Sequence, residues 1–197
     1  PADEDKLSKI EEEYIKNDLS NTKANIDITS GLALNETHDK LDAQKIIQSL
    51  STQTEKLTEG ELSITCLQPD RDEQNLIGNA GSLVLEVRFG AFSMLCTGDV
   101  EAEGETALLK KVQGSDIYVL KVAHHGSKYS TSEEFLREVK PEIALISAGK
   151  SNSYGHPHEE TLQRLWHAGC EIFQTVESGS ITIHTNGKKF RLVTAKD

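Results

Sequence analysis

Three short apolar runs, Phe92 to Thr97, Ile117 to Ala123 and Ile143 to Ser147, each stop at a loop rich in Gly, Asp, Ser or His. Glu101 to Val112 reads as a helix between the first two. Ser130-x-x-Glu133 reads as a capping box that opens a second helix, which stops before Pro141. Buried strands that alternate with helices require a sheet with helices laid on its face, so the chain is layered α/β. The flanks make the sheet mixed. Leu62 to Leu67 alternates, and Ser82 to Phe89 joins Phe92 to Thr97 as a hairpin through Arg88-Phe89-Gly90-Ala91. Pro157 with Glu159 and Glu160 opens a helix that puts Leu162, Leu165 and Trp166 on one face and ends at Gly169. Ile172–Thr175, Ser180–His184 and Lys189–Val193 close the chain as short strands, and no internal repeat is present.

Residues 1–60 are different. Only Tyr14 of the ten aromatic residues precedes Phe89, and acids outnumber bases by 13 to 7 in this stretch. Leu7, Ile10, Tyr14 and Ile15 have helical spacing, Asp39 to Leu50 reads as a second amphipathic helix, and Asn25 to Leu34 as a short strand between them. So little apolar mass builds no core of its own. The expected division is an acidic, largely helical region over 1–60, packed on a main domain over 61–197.

Lys and Arg total 21 against 32 Asp and Glu, a net charge of -11. Such a surface excludes a protein that holds nucleic acid chiefly by a basic face. No apolar run approaches the roughly 18 residues of a membrane span, and residues 1–20 are too charged for a signal peptide. A start at Pro1 without an initiator Met is the start expected of a piece of a longer chain. The cysteines Cys66, Cys96 and Cys170 lack C-x-x-C spacing and read as three buried thiols.

Chemistry gathers where the strands end. Leu95-Cys-Thr97-Gly98-Asp99 ends one strand in a carboxylate, and Leu120-Lys-Val-Ala-His124-His125-Gly-Ser127-Lys128 ends the next in two imidazoles. Asn152-Ser-Tyr154-Gly-His156-Pro-His158 follows the third and opens a helix. Groups just past adjacent strand ends converge in space. A carboxylate with several imidazoles suits a transition metal such as Zn or Mn.

These three loops resemble the metallo-β-lactamase-fold domain at the C-terminal end of ComEC-type DNA-internalisation competence proteins. Asn79-Ala-Gly-Ser82-Leu-Val-Leu85 is similar to that family's Asn-x-x-Ser-Leu-Val-Leu segment, with Ala80 and Gly81 where more polar residues are usual. The resemblance runs from about Leu62 to Val193 and implies an αββα sandwich with its metal site at the strand ends. The superfamily's principal motif, His-x-(His/Asp)-x-Asp-His, belongs upstream, where the only histidine before His124 is His38. The chain therefore reads as the second half of the fold behind a variant N-terminal region.

By this resemblance Asp99 bridges metals and His125 ligates, with His124 as the substrate-side acid or phosphate contact, or the alternative ligand. Asn79, Ser82, Ser127, His156 and His158 would line the substrate. Plainer roles compete: helix capping for Asp99 and Ser127, turn and strand roles for Asn79 and Ser82, a Pro-flanked helix start for His156 and His158. His38, His167 and His184 read as surface or packing residues, and Lys188-Lys189 with Arg191 as a solvated hairpin. Three functions stand open. One is a Zn- or Mn-dependent phosphodiesterase or nuclease of DNA uptake, touching DNA through local contacts only. Another is a non-catalytic module that assembles with the membrane-channel part of its own full-length protein. The third is a small-substrate phosphoesterase. An extracytoplasmic domain of a bacterial membrane-associated protein is the implied location.

Overall fold

In the computed structural model, residues 24–27, 33–36, 56–69 and 78–196 are described. The helices expected over 7–15 and 39–50, and His38, lie outside them. In chain order the strands are β1 (Ala24–Asp27), β2 (Ala33–Glu36), β3 (Lys56–Glu59), β4 (Leu62–Gln68), β5 (Val84–Phe89), β6 (Phe92–Cys96), β7 (Val119–Lys121), β8 (Ile143–Ile146), β9 (Glu171–Gln174), β10 (Ile181–Thr185) and β11 (Phe190–Thr194). The helices are α1 (Ala102–Val112), α2 (Glu133–Val139), α3 (Glu159–His167) and α4 (Thr175–Ser178), with 3₁₀ turns at Gly78–Gly81 and Ala123–Gly126.

A seven-stranded sheet runs β3-β4-β5-β6-β7-β8-β9 and a four-stranded one runs β11-β10-β1-β2. From β3 to β6 neighbours are antiparallel; from β6 to β9 they are parallel. The fold is mixed α/β. Strand β8 reads as an unbroken apolar run, and β6 is buried from Phe92 to Leu95 with Ser93 among them, because both faces of the sheet are covered. Ile64, Val87, Met94, Val119 and Leu145 pack with Ile181 and Ile183 of the second sheet. Leu95, Leu120, Ala144 and Ile146 point the other way, onto Leu108 and Val112 of α1, Phe135 and Val139 of α2 and Leu165 of α3. Parallel β6, β7 and β8 therefore present their C-terminal ends, and the loops after them, at one edge.

Several local readings change. Where one strand is expected over 25–34 there are two, β1 and β2, paired antiparallel, and β1 also pairs with β10, so backbone from the N-terminal region completes the second sheet. The strand read over Ile117–Ala123 is three residues long, and α4 was not anticipated. Helix α2 is capped by Ser132, whose hydroxyl accepts from Phe135 N–H at 3.2 Å, and not by Ser130. The Ser130 hydroxyl is turned inward, towards the carbonyls of Ala123 and Ser127. Trp166 is 71% exposed, whereas Thr161 and Leu165 are buried. No disulfide joins the cysteines; Cys170 is buried, and Cys66 and Cys96 are only half-buried, not fully as expected. No helix among the described residues is long and apolar enough to cross a membrane.

Candidate functional site

The loop after β7 is pinned from three sides. The carboxylate of Glu105 in α1 accepts the Thr131 and Ser132 N–H groups at the start of α2. Arg164 of α3 donates to the carbonyls of Lys128, Ser130 and Thr131, and Thr161 Oγ1 donates to Ser127 O at 2.8 Å. Gly126 has φ +84°, and a Cβ there would lie 2.6 Å from Pro157 Cβ, so the His-His-Gly-Ser loop is pressed against the His-Pro-His loop. His158 closes the seam: its N–H donates to Gly126 O at 2.9 Å, and its Nδ1 accepts from Lys128 N–H at 3.2 Å.

Within this frame His124 and His125 both take left-handed backbone, φ 44° and 55°. Non-glycine residues there are strained by about 1 kcal/mol or more each, and such strain gathers at functional sites. The consequence is that the two imidazoles diverge. His125 donates Nδ1–H to Ser147 O at 2.6 Å and brings Nε2 to 3.9 Å from Asp99 Oδ1. Asp99 is half-exposed, and Ser82 Oγ fixes its loop by accepting the Asp99 N–H at 3.2 Å. Helix α1 takes Glu101 as its N-cap residue, so Asp99 does not cap it.

His124 turns instead to Glu101, with Nδ1 2.6 Å from Oε1. An ionised carboxylate only accepts, so Nδ1 carries a proton in this bond. Ser127 Oγ donates to the same oxygen at 2.8 Å, and Asn79 Nδ2 donates to Oε2 at 3.2 Å. Burial by itself would raise the Glu101 carboxyl, but these three hydrogen bonds and the His124 imidazole outweigh it and hold the group below its ordinary value. Ser127 is 2% exposed, so here it serves Glu101 rather than an open face. Asn79 is placed by the 3₁₀ turn, where Gln68 Nε2 donates to Ala80 O at 2.6 Å. Gly104 of α1 lies so close to that carbonyl that no Cβ would fit. Glu101 is the hub that the sequence left unassigned; its only signal was an acid two positions beyond Asp99.

His156 sits among the other rings, 5.2 Å from His124, 6.3 Å from His125 and 4.8 Å from His158, centre to centre. Burial first, then repulsion from His158, His124 and His125, pushes its imidazole below the ordinary value, with Glu101 opposing. A cleft of about 560 Å³ opens beside it, lined by His125, Ser147, Lys150, Asn152, Tyr154, His156 and Thr175 among others. Asp99 and His125, His124 and the Tyr154–His158 loop are thus brought to one edge, with Asn79, Ser82 and Ser127 behind them.

The donors do not make a complete metal site. Two atoms bound to one ion at about 2 Å each lie roughly 3–4 Å apart, so the Asp99–His125 separation suits a shared cation, and Nδ1–H to a backbone carbonyl is how ligating histidines are held. Three or four protein ligands are needed, however. Among the described residues no group of three or more His, Cys, Asp or Glu is arranged to hold a metal ion. A complete Zn or Mn donor set is therefore not present among the described residues.

No family model matches the sequence. The chain is similar to ComE operon protein 3 of Bacillus subtilis (strain 168), 45% identical over 103 residues, which are 52% of this chain and 13% of that protein. It is also 38% identical over 112 residues to Competence protein ComA of Neisseria gonorrhoeae, covering 56% of this chain and 16% of that protein. Recombination protein 2 of Haemophilus influenzae is 39% identical over 106 residues, 54% of this chain and 13% of that protein. The chain spans less than a fifth of the length of each of these relatives. Over about half of its own length the chain is thus similar to a part of ComEC-type competence proteins.

Proposed function

We propose that this chain supplies a metallo-β-lactamase-like αββα domain to a DNA-uptake protein, and that its histidine-lined edge handles phosphodiesters as a nuclease or phosphodiesterase does. The observation that carries this is the Glu101–His124 pair. A carboxylate that accepts Nδ1–H fixes the imidazole tautomer and leaves Nε2 to take or deliver a proton at a phosphoryl or leaving-group oxygen. Asp99 and His125 stand beside it as the start of a cation site. A Zn or Mn ion would need ligands beyond these two, so hydrolysis depends on groups outside the described residues. The relatives are named as competence and recombination proteins, which supports DNA as the substrate class over a small phosphoester. In this reading the domain is extracytoplasmic and works with the membrane-channel part of its own protein.

A second reading, a non-catalytic module, is favoured by the incomplete donor set. One experiment separates them: hydrolysis of a labelled oligonucleotide with Mn or Zn, by the chain and by its His124→Gln and Asp99→Ala variants. The first reading expects turnover that falls about 10²–10⁴-fold in His124→Gln, the usual contribution of a positioned acid or base. Turnover indifferent to His124 overturns it. No turnover under any metal condition supports the module.

A further inference from the structure

Tyr154 and Lys150 take no part in the hub, yet both line the cleft next to His125. Tyr154 is 77% exposed, so its ring is open to solvent. Its ring lies 5.8 Å from that of His156 at an interplanar angle of 24°, and His156 is inclined by the same 24° to His125 at 6.3 Å. Each successive pair of rings is thus stacked, in a row from exposed Tyr154 through His156 to His125 beside Asp99. The loop that presents Tyr154 is braced from within: Asn152 Nδ2 donates to Gly149 O and His156 O, both at 2.7 Å, and Asn152 Oδ1 accepts His156 N–H at 2.8 Å. Although the chain has 32 acids, the cleft lining holds none; it offers one lysine and two histidines. A second exposed tyrosine, Tyr129, with Lys128 Nζ 5.3 Å from its ring centre, follows the other histidine loop.

We propose that this cleft is a nucleotide subsite, in which one unpaired base of a single-stranded nucleic acid stacks on the outer face of Tyr154 and its phosphate meets Lys150. A volume of about 560 Å³ lies within the range of small-ligand sites, roughly 300–1,000 Å³. Aromatic platforms with a nearby cation are how single strands are held without sequence readout. Bases paired inside a duplex have no free face, so the subsite discriminates by strandedness. This rests on the phosphodiester reading above but not on turnover.

The test is fluorescence anisotropy with a labelled single strand, the same strand carrying abasic sites, and a blunt duplex, in EDTA so that nothing is cleaved. Tyr154→Ala is expected to weaken single-strand binding about tenfold, the scale of one stacked base, with Tyr154→Trp restoring it. The abasic strand and the duplex should bind Tyr154→Ala and the parent chain alike. Lys150→Gln should weaken all strands that carry phosphate. Tyr154 is exposed, so its loss leaves the core intact. Single-strand binding that is unchanged in Tyr154→Ala, or an equal loss with the abasic strand, overturns the subsite while leaving the hydrolase reading standing. Tyr154-dependent binding with no turnover in the metal assay would instead sink the hydrolase and keep the subsite.

Discussion

Replacing Glu101 with Gln tests the hub directly, because the two carboxylate oxygens have different duties. Oε1 takes both the His124 and Ser127 protons, at 2.6 and 2.8 Å, and Oε2 takes the Asn79 amide at 3.2 Å. With its carbonyl placed at Oε1, a glutamine keeps the first two bonds but makes them neutral. Hydrogen bonds to a charged group contribute about 1.5–3 kcal/mol and neutral ones about 0.5–1.5, so each loses about 1 kcal/mol. The glutamine NH₂ then faces the Asn79 NH₂, donor against donor, for a few tenths more. The expected loss is about 2–3 kcal/mol, read by urea unfolding at pH 7, or about 4–12 °C in Tm for a chain of this size.

The pH dependence supplies a second, independent reading. Glu101 is held below its ordinary value of 4.5. A depressed carboxyl stabilises the fold fully above the unfolded value and loses that contribution as pH falls through the folded one. The gap between parent and Glu101→Gln should therefore shrink on acidification below about pH 4.5. Equal stability at pH 7, or a gap that widens in acid, would refute the reasoning.

Gly126→Ala should destabilise by more than about 1 kcal/mol, since φ is +84° and the new methyl meets Pro157; thermal melting checks it. Ser132→Ala should cost about 1 kcal/mol through loss of the α2 cap, and Ser130→Ala, were Ser130 the cap as its spacing suggests, would cost as much through the Glu133 amide; hydrogen exchange should rise at the Phe135 amide, and only in Ser132→Ala. Burial pushes the Cys96 thiol up to about 11, with Lys121 partly opposing, so Cys96 should alkylate slowly at pH 8 in the folded chain and faster after urea unfolding.

The parallel half of the sheet was legible because strands covered on both faces cannot hide: Ile143-Ala-Leu-Ile146 is buried at every position. So were the strand-end loops, since topology alone sends them to one edge. Glu101 was not legible. Its partners lie 22 to 26 positions away, beyond any local pattern. Trp166 misled by spacing. The buried face of α3 centres on Thr161 and Leu165, and at roughly 100° per residue Trp166 sits about 120° round from that centre, in solvent. The separation of His124 from His125 was expected from strand alternation, whereas the residues lie beyond β7 in left-handed backbone, and that conformation turns the rings apart. Its cause is the pinning by Glu105, Arg164 and Thr161, three residues from two helices that no reading of the loop by itself could supply.

Net charge was the least informative number for the site. A total of -11 argues against a polyanionic partner, but fields between exposed charges fade over about 8–10 Å at ordinary ionic strength, so the local lining decides. At the cleft that lining is Lys150 with His125 and His156, and His156, pushed below its ordinary value, stays neutral at pH 7. One phosphate is therefore contacted by a cation, Lys150, while the rest of the surface repels. Each contacted phosphate on a single strand contributes a slope of about -0.7 to log K against log salt. The expected slope for single-strand binding is about -0.7, measured by anisotropy between about 50 and 200 mM salt. A slope near about -2 would mean that three cations act together. Binding would then be placed on the basic hairpin edge at Lys188, Lys189 and Arg191, and the cleft would lose its claim to the strand.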